Sequence, residues 1–315
     1  MAKFIVNVNY LTKVIITEAD GEITIPSSVT TIGVGAFEGC TNLQSITIPN
    51  SVDHIGKYAF SGCTCLTNVI IPDSVTEISE SAFWGCTSLT SITIPDSVTK
   101  IGFSAFCSCT SLTSIEIPNS VKEISGWTFS GCKSLTSVAI PDSVTKIGDG
   151  AFWSCTSLTS IEIPDSVTKI GFGAFCSCTS LTSIEIPNSV KEISGGTFSG
   201  CKSLTSIEIP DSVMEIGHRA FWSCTSLTSI EIPDSVMEIG HRAFWECKNL
   251  TSITLPEAFA SKTSKELQIM GFDPDKVEIT IRGENGKTHP YEGPHTKAKE
   301  EKANKSLKTF KALQT

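Results

Sequence analysis

Ten of the thirteen cysteines recur at one spacing: Cys40, Cys63, Cys86, Cys109, Cys132, Cys155, Cys178, Cys201, Cys224 and Cys247 follow one another every 23 residues. Cys65, Cys107 and Cys176 stand outside the series. Thiols in number can bind a metal, form disulfides or act as nucleophiles. Zinc needs clustered ligands, and the single residue between Cys107 and Cys109 departs from the usual two-residue gap. One cysteine per repeat instead predicts a ladder of free, buried thiols, each acting as a small hydrophobe. So many reduced thiols suit a cytoplasm or an anaerobic niche.

A second set is acidic: Glu116, Glu162, Glu185, Glu208 and Glu231 share one repeat position, with Ala139 interrupting the series. Stacked like charges are mildly unfavourable in a sheet, so an acidic stripe suits a basic partner or a cation. A third set is aromatic. Trp84, Trp153, Trp222 and Trp245 each follow an inward-reading phenylalanine and are expected to point at least partly outward or to pack over the adjacent coil's turn, with Phe103, Trp127 and Phe172 near the same turn. Rigid aromatics of this kind are enriched at binding hot spots. His218 and His241 occupy equivalent positions beside Glu215 and Glu238, but inside a copied Met-Glu-Ile-Gly-His-Arg-Ala-Phe-Trp string, so no metal and no cofactor is assigned. The chain has no Gly-rich phosphate loop and no nucleophile elbow, and the reading is non-enzymatic.

The elements that would carry these side chains are set by proline. Pro26, Pro49, Pro72, Pro95, Pro118, Pro141, Pro164, Pro187, Pro210, Pro233 and Pro256 form an unbroken series at 23-residue intervals. Within one interval the apolar positions are Val98, Ile101, Ala105, Phe106, Cys109, Leu112, Ile115 and Ile117. Leu112-x-x-Ile115-x-Ile117 alternates at its end and predicts a short strand, closed by proline. Val98-x-x-Ile101-Gly102 predicts an extended piece, and Ala105-Phe106-x-x-Cys109 a tight helical turn. A coil this short cannot bury its own apolar side, so neighbours must stack to form the core.

Residues 96–164 and 165–233 differ at only 8 of 69 positions, among them Trp127 against Gly196 and Asp149 against His218, which marks a duplication. Hydrophobic residues at 40% and charged residues at 18% exclude a disordered chain. The net charge of −9 is unevenly spread, with about +4 from Lys287 to Thr315 and about −13 before it. Such a body repels nucleic acid. No apolar run approaches the roughly 18 residues that a membrane span needs. The first residues lack an apolar stretch leading to a small-residue cleavage site, so no signal peptide is expected.

Leu112-x-x-Ile115-x-Ile117-Pro118, followed by Val121-x-x-Ile124, Phe129 and Cys132, resembles the BspA-like, or treponemal-type, leucine-rich repeat. The resemblance spans roughly residues 22–256 in about ten coils. It implies a curved, right-handed α/β-type coil stack, with a parallel β-sheet on the concave face and short extended or 3-10 segments opposite. It implies that the Thr/Ser/Glu positions line the concave face. It further implies a non-enzymatic protein of bacterial or protozoan surfaces, linked to adhesion to host matrix or cell-surface proteins. Location is thus cytoplasmic by sequence and surface or secreted by resemblance. The alternative reading is a structural or self-assembling repeat without a ligand, against which end caps on a monomer would argue.

The expected organisation is a β-type N-cap over 1–21, the solenoid over 22–256, a C-terminal cap over 257–282, and a linker with a lysine-rich tail over 283–315. In the last, Ala303, Leu307 and Phe310 would share a helix face. Strands are expected around Ile46, Ile92, Ile115, Ile161, Ile184, Ile207, Ile230 and Ile253.

Overall fold

A computed structural model describes residues 3–7, 9–15, 21–283 and 285–293. The lysine-rich segment from Lys297 onward, and Ala19 and Asp20 of the expected N-cap turn, lie outside the described residues.

The 23-residue period winds the chain into a β-solenoid of three sides. On the first side run parallel strands in register, among them Ser45–Thr47, Asn68–Ile70, Ser91–Thr93, Ser114–Glu116 and Ser229–Glu231. Each buries its central Ile or Val and exposes its last residue, the alternation that a one-sided strand requires. Proline closes the strand and then accepts a turn hydrogen bond, as in Val98 N–H to Pro95 O at 3.0 Å. The second side is also a parallel ladder, made of two-residue strands such as Lys146–Ile147 and Lys169–Ile170. The extended piece read from Val98-x-x-Ile101 is therefore a second sheet.

The third side consists of turns. Phe83 N–H donates to Ala105 O of the next coil at 2.8 Å, and most coils repeat that bond. These turns do not continue as 3-10 helix because the backbone turns left-handed twice per coil, as at Ser104 (φ 55°) and Ser108 (φ 62°). Among the described residues, 3-10 helix occurs at Glu257–Phe259, beyond the last coil.

One core runs from Leu11 to Ile281 without a gap. Its spine is a stack of ten fully buried phenylalanines, Phe37 to Phe244, with ring centroids 4.9–5.9 Å apart. Phe272 extends the stack at 4.9 Å from Phe244. The ends are covered by different means. The hairpin of Lys3–Asn7 and Tyr10–Ile15 adds to the second sheet through Tyr10 and Leu11, beside Thr31 and Ile32. At the other end, Thr263 and Glu266 form a capping box that starts the helix Ser264–Met270, which Gly271 ends at φ 108°. Glu278–Arg282 then pairs parallel with Ser252–Pro256, and Thr288–Pro290 pairs antiparallel outside it.

A glycine follows the second-sheet isoleucine in most coils, and close approach explains it. A Cβ on Gly148 would lie 2.6 Å from the backbone nitrogen of Gly126, so only glycine lets the coils meet undisturbed. Its N–H donates to the preceding coil's isoleucine, Gly148 to Ile124 O at 2.8 Å. Serine replaces it at Ser125 and Ser194, and the serine hydroxyls take over that carbonyl: Ser125 Oγ donates to Ile101 O at 2.6 Å and Ser194 Oγ to Ile170 O at 2.8 Å. The second sheet is interrupted at these two boundaries, after Lys100–Ile101 and after Lys169–Ile170. Ser79 is a milder case, where the ladder narrows to Ile55 with Ile78.

The first sheet lapses at these two boundaries and also at others where the second sheet is continuous, as between the coils of Glu192–Ile193 and Glu215–Ile216. Ser91–Thr93 is not paired with Ser114–Glu116, and the passes through Ile161, Ile184 and Ile207 carry no strand ladder. Strands were expected at those three isoleucines, which are buried as a strand centre should be but lack the pairing. Stacked glutamates alone do not break a ladder, since Glu215 pairs in register with Glu192 and Glu238 on the second sheet. On the first sheet the Ser194 boundary falls within the column Glu162, Glu185 and Glu208, and repulsion adds to that offset.

Candidate protein-binding face

The exposed end of each first-sheet strand is a position that nothing in the core constrains. Glu116, Glu162, Glu185, Glu208 and Glu231 all stand exposed there. The preceding threonines are less available than they read in sequence. Thr90 Oγ1 donates to Thr67 O at 3.1 Å and Thr182 Oγ1 to Thr159 O at 3.2 Å, so these hydroxyl hydrogens are spent on the neighbouring coil. The carboxylates are the free chemistry of this face.

Three open grooves lie on this face. The largest, about 1220 Å³, runs from Ser137 to Glu208 and is lined by Glu162, Glu185, Asp142 and Asp165. A second, about 550 Å³, is lined by Glu208, Asp211, Glu231 and Arg282. Glu116 lies outside both.

Glu231 differs from the rest of its column. The Arg282 guanidinium, on the capping strand Glu278–Arg282, reaches back over the last coil and pairs with Glu231, with Asp234 at 3.2 Å and with the Ile232 carbonyl at 3.4 Å. The arginine side chain is only 17% exposed, whereas Glu231 and Asp234 remain 73% and 68% exposed. Sequence reasoning missed this clamp. Its signal was the single arginine in a strand that continues the sheet, opposite the last Glu-Ile-Pro-Asp string.

The aromatic edge is partly occupied by its own neighbours. Trp84, Trp222 and Trp245 are exposed at 47%, 41% and 42%. Trp153 is not: it is half-buried against Trp127, with centroids 5.4 Å apart, because Trp127 of the preceding coil supplies a stacking surface. Arg219 lies 5.8 Å from the Trp222 ring and Arg242 5.3 Å from the Trp245 ring, a cation over each face. His218 packs against Phe172 at 5.8 Å. Among the described residues no cluster of three or more metal-ligating side chains occurs, and no helix is long and apolar enough to cross a membrane.

The sequence model of the BspA type leucine-rich repeat region matches residues 20–109, 76–202 and 168–268, with 6 copies. The chain belongs to the BspA-type leucine-rich repeat family. Its fold is similar to that of a leucine-rich cell surface protein of Faecalibacterium prausnitzii A2-165, with 29% identity over 90% of this chain and 95% of that one, at a TM-score of 0.57. It is also similar in fold to the pneumococcal vaccine antigen PcpA, with 22% identity over 89% and 85% of the two chains, at a TM-score of 0.60. No curated protein sequence matches it significantly.

Among the described residues, the ladder cysteines of this BspA-type chain form no disulfide. From Cys63 to Cys247, each ladder thiol donates to the phenylalanine carbonyl 26 residues earlier, at 3.1–3.2 Å. Burial pushes the Cys86 thiol up to about 12, and burial also holds Cys109, Cys132 and Cys155 well above the ordinary thiol range. Burial of this kind disfavours the thiolate that nucleophilic attack and metal ligation require.

Proposed function

We propose that this chain is a non-enzymatic scaffold that binds a basic protein partner along its grooved face, as a surface-displayed adhesion or cell-interaction module. The observation that carries the reading is the column Glu162, Glu185 and Glu208. These carboxylates are exposed over a continuous groove, and among the described residues none has a hydrogen-bond or ion-pair partner. Membership of the BspA-type family and the printed description of the Faecalibacterium relative as a cell surface protein support the surface setting. A regular array gives many shallow, equivalent contacts, so affinity arises from several coils acting together.

The test is a variant with Glu162, Glu185, Glu208 and Glu231 all changed to glutamine, compared with the parent for binding to matrix and cell-surface proteins at about 50 and about 300 mM salt. Binding by the parent that falls with salt, and weak, salt-insensitive binding by the variant, supports the reading. Equal binding by both sinks it. The exposed faces of Trp222 and Trp245 favour a second site; their replacement by alanine would then lower affinity while leaving the salt dependence intact. Self-assembly is the lesser reading, because the hairpin covers the N-terminal edge of the second sheet and the C-terminal strands cover the last edge of the first, which leaves fewer edges for another copy.

A further inference from the structure

Arg282 shows what one of these acid pairs can hold. Its guanidinium bonds Glu231, the Ile232 carbonyl and Asp234, three acceptors supplied by one Glu-Ile-Pro-Asp string. The same octet, Ser-Ile-Glu-Ile-Pro-Asp-Ser-Val, recurs at 160–167, 206–213 and 229–236. Only the last is filled. Glu162 and Asp165, like Glu208 and Asp211, are exposed and have no hydrogen-bond or ion-pair partner among the described residues. Both pairs open into grooves, and the smaller groove sets Glu208 and Asp211 directly beside the Arg282 clamp. Coil 183–190 carries Asn188 in place of aspartate, so the string between the two vacant pairs is incomplete.

We infer that Glu162/Asp165 and Glu208/Asp211 are vacant guanidinium clamps, which together take two arginines of an extended partner segment. This rests on the scaffold reading above and names its ligand chemistry. Arginine is favoured over lysine because its planar fork can bond two carboxylates and a carbonyl at once, as Arg282 does, whereas an ammonium is a point charge. The clamps lie two coils apart, about 9.6 Å at about 4.8 Å per strand. A polyproline II segment rises about 3.1 Å per residue and returns to the same face every third residue, so arginines at i and i+3 stand about 9.3 Å apart on one side. The partner motif is therefore Arg-x-x-Arg in extended, proline-favoured backbone.

The experiment titrates the full-length chain with the capped peptide GRPPRG, and with GKPPKG and GRPRG as comparisons, by calorimetry or fluorescence. GRPPRG is expected to bind about tenfold tighter than GKPPKG, and GRPRG, whose arginines are out of phase, to lose most of that gain. The double variant D165N/D211N, exposed at both sites and checked for unchanged circular dichroism, is expected to bring GRPPRG down to the GKPPKG level. Equal affinity for the arginine and lysine peptides overturns the clamp and assigns the face a diffuse acidic field only. Unchanged binding by D165N/D211N, or no binding of GRPPRG at all, overturns it too. The four-glutamine comparison with a whole protein partner still decides the scaffold reading separately.

Discussion

Cys109 donates its thiol hydrogen to the carbonyl of Phe83, 3.2 Å away in the preceding coil, and the same bond ties each later ladder cysteine to its neighbour. The ladder is thus a column of hydrogen bonds parallel to the phenylalanine stack.

Thiol labelling should separate the cysteines by this geometry. In the native chain, Cys65, which is exposed, is expected to react first, with the half-buried Cys107 following. All thirteen should react once the chain is unfolded without reductant. Recovery of far fewer, with coils linked by disulfides, would show a covalent staple instead.

The ladder also predicts how stability responds to base. Burial raises the folded pKa of Cys86 to about 12, whereas the unfolded thiol ionises near ~8.5. The stabilising share of each such thiol is therefore complete below ~8.5 and is lost as pH rises from there toward about 12. Each costs about 1.4 kcal/mol per pH unit in that window. Denaturation midpoints should hold steady between about pH 6 and 8 and fall steeply above about 9, and Cys86→Ala should make the fall shallower by one proton. A pH-independent slope change in that variant would count against the account.

Replacing Ser125 or Ser194 by glycine should restore the sheet at its two interruptions. The Cβ is removed and an N–H to isoleucine carbonyl bond of the Gly148 type can form. Slower amide exchange at Glu123–Ile124 or Glu192–Ile193 is the expected result. The reverse change, Gly148→Ala, should destabilise by about 1–3 kcal/mol, because a backbone must move to admit the Cβ. Exchange left unaltered in the glycine variants would mean that serine is not what parts the coils.

Arg282→Gln should loosen the last coil more than any surface substitution. It removes a largely buried guanidinium that holds Glu231, Asp234 and the Ile232 carbonyl to the capping strand. A loss of about 1–2 kcal/mol is expected, read as faster exchange in Glu278–Arg282 before the remaining coils respond. No change in exchange there would show that the helix Ser264–Met270 alone secures this end.

Most of the fold is legible in the sequence because one rule repeats. Proline, isoleucine, phenylalanine and cysteine return at fixed positions, and each has a single place in the coil. What was not legible depends on contacts between coils. The second-sheet interruptions follow from a glycine-to-serine change that looks conservative until the approach of the next backbone is known. The ladder missing at Ile161, Ile184 and Ile207 coincides with such a change only at the Ser194 boundary. Trp153 reads as partly outward, and which neighbour it packs on, Trp127 of the preceding coil, is seen only in the structure. The acidic column was visible as a pattern, but its last member is paired by an arginine 51 residues further on. No local pattern announces such a pairing.

The serine boundaries give the molecule a mechanical character. Some neighbouring coils are paired on both sheets and others on the second sheet alone, whereas those meeting at Ser125 and Ser194 have given up ladder bonds on both. Pulled along its axis, such a rod lengthens at its joints before its blocks deform. The Ser194 joint lies between the coil of Glu162/Asp165 and that of Glu208/Asp211. Tension on the chain would therefore spread these two acid pairs, and a ligand rigid enough to measure their spacing would sense the load.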